Sequence, residues 1–199
     1  MSEPQATQVS PTDEALDWQG LPVRCRDCPH DDIRQEGRCD LGQICVRDRR
    51  GRRIDRFFAA NPELSARYLD HPYFEVRLLA AKNASIFLLP RLLDDQEPDV
   101  RAMVAMRMPI NRLGPLKHDP DRKVRAAVAS RLFGSEIVSM FGDEDYYVRC
   151  VAARRAPQAA LLALLHDPEV EVRRIVARRL PVENLGALLG DREPSVRVE

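Results

Sequence analysis

The dipeptide Val-Arg recurs at Val76-Arg77, Val100-Arg101, Val124-Arg125, Val148-Arg149, Val172-Arg173 and Val196-Arg197, each 24 positions after the one before. Five equal spacings with no insertion mean that the chain builds one small unit repeatedly. A unit this small cannot bury its apolar face alone, so the units must stack around a continuous core. An aspartate stands five residues before the valine at Asp95, Asp119, Asp143, Asp167 and Asp191. An alanine stands five residues after it at Ala81, Ala105, Ala129, Ala153 and Ala177, which gives the pattern D-x4-V-R-x3-A.

Each unit reads as two unequal helices. Asp-Pro, as in Asp119-Pro120 and Asp167-Pro168, is a helix start in which the carboxylate is expected to cap free backbone N–H groups. Apolar positions four and eight after the valine mark one face of a helix of about 12 residues. The invariant alanine implies close approach of the neighbouring helix. Pro109, Pro157 and Pro181 are expected to end it, after Arg107, Arg155 and Arg179. The apolar pairs beyond it lie three apart: Leu113 with Leu116, Ile137 with Met140, Leu161 with Leu164, Leu185 with Leu188. That spacing suits a short 3₁₀ turn, where side chains at i and i+3 eclipse. The arginine after each valine and the recurring aspartate are expected to form a ladder between units. Residues 46–69 read as a degenerate first unit, with Arg52-Arg53 in place of Val-Arg and Leu64, Ala66 and Leu69 as its apolar second half.

Ahead of the repeats, Cys25, Cys28, Cys39 and Cys45 have the spacing C-x2-C-x10-C-x5-C. In a reducing compartment two disulfides in so short a stretch would not persist, so clustered cysteines point to metal or redox chemistry. The tight first pair is common to zinc knuckles and ferredoxins. The looser second pair suits a wide cluster better than one ion, and the spacing leaves iron–sulfur and zinc both open. Gly37 and Gly42 supply backbone freedom for a chain folding round a metal, and Val23, Ile33, Leu41 and Ile44 are candidates to shield it. His30 is a candidate replacement ligand, with a solvated loop histidine as the competing reading. His118 and His166 at the repeat boundaries read as structural, and Cys150 as a filler.

The 31 basic and 31 acidic side chains cancel, so nucleic acid or an anionic membrane would need a local patch. Arg47, Arg49, Arg50, Arg52, Arg53 and Arg56, against Asp48 and Asp55, form such a patch. It reads as a solvated or cluster-neutralising face, a dock for an acidic protein partner, or a phosphate contact without interleaved aromatics before Phe57. Residues 1–20 are polar with no apolar run, and are expected to be flexible, with Leu16 and Trp18 docking on the adjoining cysteine segment. No stretch approaches a membrane span, and a cytoplasmic location is expected. No P-loop, G-x-G-x-x-G, G-x-S-x-G or H-E-x-x-H appears, and no catalytic residue is assigned.

The unit whose clearest copy is HDPDRKVRAAVASRLFGSEIVSMF resembles the leucine-rich repeat variant family, and the four cysteines match the module that precedes such repeats. The resemblance implies an all-α fold: a right-handed superhelical solenoid of alternating α- and 3₁₀-helices, with a small N-terminal iron–sulfur module holding a [4Fe–4S] cluster. Its implied division is a flexible segment at 1–20, the module at 21–45, a degenerate repeat at 46–69 and repeats at 70–199. Four thiolates saturate such a cluster and leave no open iron. The chain is thus expected to be a non-enzymatic protein that binds a protein partner through its repeats, with the cluster as a redox or structural element. An electron-transfer accessory to an oxidoreductase, and a nucleic-acid binder using residues 47–56, are the alternatives. The last unit stops just after its Val-Arg, where self-association is expected.

Overall fold

The computed structural model describes residues 15–199, arranged as two compact units that divide between Leu92 and Leu93. Residues 1–14, the greater part of the expected flexible segment, lie outside the described residues. Among the described residues there is no strand, only the isolated bridges Leu16 to Pro22 and Asp40 to Ile44. No helix there is long and apolar enough to cross a membrane.

The first unit carries the 3₁₀ turn η1 (Cys25–Asp27), α1 (Asp31–Gln35), α2 (Gly51–Ala60), η2 (Pro62–Tyr68), α3 (Phe74–Asn83) and η3 (Leu89–Leu92). The α2/η2 pair has the helix and 3₁₀ order of the later repeats, although Val-Arg is missing from it. Its buried second-half residues are Ser65 and Leu69, while Ala66 is exposed, so the expected apolar register there is corrected by one position. Leu16 pairs with Pro22 at the start of the cysteine segment, but docking otherwise reaches past that segment: Arg49 N–H donates to the Leu16 carbonyl at 2.9 Å, and the Trp18 ring stacks on Tyr73 with centroids 6.1 Å apart.

The second unit runs α4 (Pro98–Arg107), η4 (Ile110–Arg112), η5 (Gly114–His118), α5 (Arg122–Ala129), α6 (Gly134–Val138), α7 (Tyr146–Arg155), η6 (Gln158–Leu164), α8 (Val170–Arg179), η7 (Val182–Leu188) and α9 (Pro194–Arg197). The long helices have 8 to 10 residues rather than about 12. Proline ends them as expected, because Pro109, Pro157 and Pro181 hold ψ near 140°, reverse the chain and open the 3₁₀ element. Position 133 holds phenylalanine instead. There Gly134 takes a positive φ of 58°, and the second element is the short α-helix α6.

The repeated valines and alanines are buried in every unit, and the apolar pairs interleave with them. The aspartates do not cap the helices. Asp121 and Asp145 are the N-caps of α5 and α7, accepting from Lys123 N and Tyr147 N, and each repeated aspartate stands two residues before the N-cap. Its Oδ1 accepts the backbone N–H two residues on, at 2.9 Å for Asp95, Asp119, Asp143, Asp167 and Asp191. The capping expectation failed because that turn competes for the short side chain.

The carboxylates are then free to meet the arginine of the preceding unit, and the expected ladder forms. Arg101 holds Asp119 at 2.7 and 2.8 Å, Arg125 holds Asp143 at 2.8 and 3.1 Å, Arg149 holds Asp167 at 2.8 and 2.9 Å, and Arg173 holds Asp191 at 2.7 and 3.1 Å. Each pair is bidentate through Nε and Nη2. The remaining Nη1 donates to the carbonyl six residues before its own arginine, at 2.6 Å for Asp95 and 2.8 Å for Asp119, Asp143 and Asp167. A second set of arginines closes the helix ends: Arg131 donates to the Ala105 carbonyl at 3.0 Å and Arg179 to that of Ala153.

Arg149→Met leaves the Asp167 carboxylate buried without its counter-charge. It should lower unfolding stability by about 3–5 kcal/mol, with the double variant Arg149→Met/Asp167→Leu recovering part of the loss; urea unfolding of the full chain checks this. Arg173 holds the Asp191 carboxyl below its ordinary value; at Asp119 burial pushes upward but the Arg101 and Asp121 N–H bonds outweigh it. Stability from such groups is present above the ordinary carboxylate value and is lost as pH falls through the lower folded one. Helical signal followed from pH 6 downward should therefore weaken below about pH 4, and Asp119→Asn/Asp191→Asn should flatten that dependence.

Candidate metal centre

The four cysteines are delivered by two short turns. Cys28 N–H donates to the Cys25 carbonyl at 2.9 Å across η1, which puts the first pair on one turn. Between Cys39 and Cys45 the chain closes on itself: Asp40 and Ile44 exchange N–H···O bonds of 2.8 Å in both directions, with Gly42 at φ 82° between them. The x5 spacing is thus a closed turn that sets its flanking cysteines face to face. Gly37, at φ 76°, ends α1 and turns the chain into Cys39. Val23, Ile33 and Val46 are buried around this loop, whereas Leu41 is 42% exposed and does not shield it.

The thiols act on one another. The Cys39–Cys45 hydrogen bond pulls the Cys45 thiol down to about 7 against its burial, helped by the Arg47 and Asp48 backbone N–H groups that donate to its sulfur. The same bond, with burial and the nearby Cys45, Cys28 and Cys25, pushes Cys39 up. Burial raises Cys28, opposed by the His30 N–H that donates to its sulfur. Three backbone N–H groups thus point at two of the four sulfurs. Among the described residues no three His, Cys, Asp or Glu side chains are grouped as one metal ion would need. An all-sulfur donor set with N–H···S bonds fits an iron–sulfur cluster.

The site is fastened to the first repeat. Cys45 N–H donates to the Arg53 carbonyl at 3.2 Å. Fully buried Asn61 donates to the Arg38 carbonyl at 3.0 Å and the Phe57 carbonyl at 2.9 Å, and accepts from Arg38 Nη1 at 2.7 Å. His30 is neither solvated nor aimed at metal. It is 6% exposed, its ring lies 5.3 Å from Phe57, and its Nε2 is hydrogen-bonded to the Tyr68 hydroxyl.

The arginine run divides. Arg49, Arg52 and Arg56 are exposed, and Arg47 and Arg50 half-buried. Arg53 leaves the candidate partner surface, because it is buried against Asp48 with Nη1 2.6 Å from the carboxylate. Arg47 donates to the Asp27 carbonyl at 2.9 Å and lowers the Cys28 thiol by its charge, in keeping with the neutralising reading. Cys150 is buried with its thiol raised by that burial, and His118 and His166 are exposed. Sequence reasoning missed Asp48, Asn61 and Tyr68. Of these only Tyr68 left a trace in the pattern, standing where later repeats have an aliphatic residue.

Comparison with known proteins agrees with this arrangement. The family described as "LRV protein FeS4 cluster" matches residues 15–67, and that described as "Leucine rich repeat variant" matches residues 146–169 and 170–193. The cofactor of the first of these is a [4Fe–4S] cluster. An uncharacterized 27.7 kDa protein in the nifB 3' region of Rhodobacter capsulatus is 51% identical over 79 residues, 40% of this chain, and the match spans only 32% of that relative's length. A solved structure titled a leucine-rich repeat variant with a novel repetitive protein structural motif superposes with a TM-score of 0.82 at 40% identity, over 88% of this chain and 76% of that one. With 40% identity and a TM-score of 0.82 over 76% of that structure, and with family matches in both the cysteine module and the repeats, the chain belongs to the leucine-rich repeat variant family.

Proposed function

We propose that this chain is a non-enzymatic scaffold in which Cys25, Cys28, Cys39 and Cys45 hold the cluster and the repeats bind a protein partner in the cytoplasm. The observation that carries the reading is the fastening of the cysteine loop to the first repeat through Cys45, Asn61 and the Asp48–Arg53 pair. Order in the loop and order in α2 and η2 are therefore one event, and the module acts as the cap of the stack. A bound cluster supplies one-electron chemistry and cross-links the two cysteine turns. The protein's part is to present four sulfurs, to aim three N–H groups at them, and to close Val23, Ile33 and Val46 around them. With every iron ligated by sulfur, no position is left for substrate, which supports a role outside catalysis.

Electron transfer to an oxidoreductase is a second reading, favoured by one feature: Cys25 and Cys28 are only partly buried, so one edge of the site is within reach of a docked partner. The exposed Arg49, Arg52 and Arg56 offer an acidic partner protein a cationic approach.

Anaerobic purification should yield about four iron and four sulfide per chain with a broad visible band. Cys39→Ser and Cys45→Ser should each lose that loading and, through the shared contacts, lower the unfolding midpoint of the first unit, followed by Trp18 fluorescence. Zinc near one per chain with no visible colour would overturn the cluster assignment. A band that bleaches and returns through dithionite and reoxidation would favour the electron-transfer reading over a purely structural clamp.

A further inference from the structure

The apolar pair of the second element is aliphatic in five units: Leu89 with Leu92, Leu113 with Leu116, Ile137 with Met140, Leu161 with Leu164, and Leu185 with Leu188. In the unit beside the cysteine module the same two positions are Ser65 and Tyr68. Both lie in the 3₁₀ helix η2, where residues three apart share a side. Neither replacement improves the stack by itself. Ser65 is fully buried and its Oγ has no hydrogen-bond partner, a cost that leucine would avoid.

Tyr68 shows what this side of η2 serves. Its ring packs edge-on against Phe58 at 5.5 Å and Phe57 at 6.3 Å. Its hydroxyl is hydrogen-bonded to His30 Nε2, and it lies near enough to Cys28 and Cys45 for their charge to act on it. The His30 ring is held between Phe57 and Tyr68, and its backbone N–H donates to the Cys28 sulfur. A continuous path therefore runs from the Tyr68 hydroxyl through the histidine ring and backbone to one sulfur of the site.

We propose that Tyr68 is a positioning residue for the cluster: by holding the His30 ring it keeps the His30 N–H on the Cys28 sulfur, and it replaces the second aliphatic residue of the repeat's pair to provide that hold. The inference rests on the reading of Cys28 as a ligand. An N–H···S bond stabilises negative charge on the sulfur, most in the reduced state, so it raises the reduction potential and slows ligand loss.

The test uses the full chain loaded anaerobically. Tyr68→Phe removes the hydroxyl and keeps the ring. It should retain iron and circular dichroism, release iron to a ferrous chelator about tenfold faster, and shift the terminal Fe–S stretching bands in resonance Raman. Where the cluster reduces reversibly, its midpoint should fall by about 59 mV, the one-electron equivalent of tenfold. His30→Gln, whose amide can still bond the tyrosine hydroxyl, should stay close to the parent, and His30→Leu should match Tyr68→Phe. Phe58→Leu, a packing change alone, should lower thermal stability without moving the Raman bands. A loaded Tyr68→Phe with release rate and Raman bands unchanged overturns the proposal. If Tyr68→Phe does not load, His30→Leu decides by the same two readouts. Cys28→Ser that loads and vibrates like the parent would instead sink the ligand reading, an outcome distinct from any given by Tyr68.

Discussion

The structure depends on one guanidinium per repeat. Arg149 reaches back to the carbonyl six residues before it in its own turn and forward to the carboxylate eighteen residues after it in the next turn. Arg101, Arg125 and Arg173 do the same. An insertion between those contacts would leave a buried charge without its partner, which costs far more than the pair contributes when intact. The constant period is a consequence of this penalty. Valine and alanine supply the apolar burial, but many apolar spacings would serve for that; the ion pair sets the register.

The same geometry solves a problem of aligned dipoles. Within the second unit the ladder joins the turns ahead of neighbouring helices, and Arg131 and Arg179 join their carboxyl-terminal ends, so the helices run side by side in one direction. Parallel macrodipoles repel unless each end meets opposite charge. Aspartates gather at the amino-terminal turns, where Asp121 and Asp145 also cap free N–H groups, and arginine donors cover the carbonyls at the other end. Arginine thus serves both ends, pairing with aspartate at the amino-terminal turns and covering carbonyls at the carboxyl-terminal ends, so zero net charge does not mean a featureless surface.

Legibility in the sequence depends on which interactions repeat. The stacked helix and 3₁₀ alternation, the buried valines and alanines and the arginine–aspartate ladder could be read from the sequence because each occurs at a fixed spacing. The role of the aspartate was misread, since an Asx turn and an N-cap begin with the same residue two positions apart, and only the backbone separates them. The cysteine positions and Gly37 and Gly42 were visible as motif chemistry. Burial of His30 and Arg53, and the locking role of Asn61, were not. They depend on where the loop folds against α2 and η2, a long-range contact with no period to reveal it.

The first repeat shows how a periodic fold accommodates a site that is not periodic. Where the ladder would place its aspartate at the start of the next unit the chain has His71, whose Nδ1 accepts from Tyr73 N as the aspartate would, so the turn survives although the negative charge does not. Arg53 is left without that carboxylate and turns to Asp48, the residue whose N–H donates to the Cys45 sulfur. The aliphatic pair becomes Ser65 and Tyr68, on the side facing His30. Tyr68 meets the cysteine loop at His30 and Arg53 meets it at Cys45, whereas Arg52, in place of the repeat's valine, is exposed, and the unit has a core of its own in Ile54, Phe57, Phe58 and Leu69. The contacts of Arg53, Asn61 and Tyr68 with the loop mean that this repeat serves the metal centre on one side while its α2/η2 order remains that of a repeat on the other.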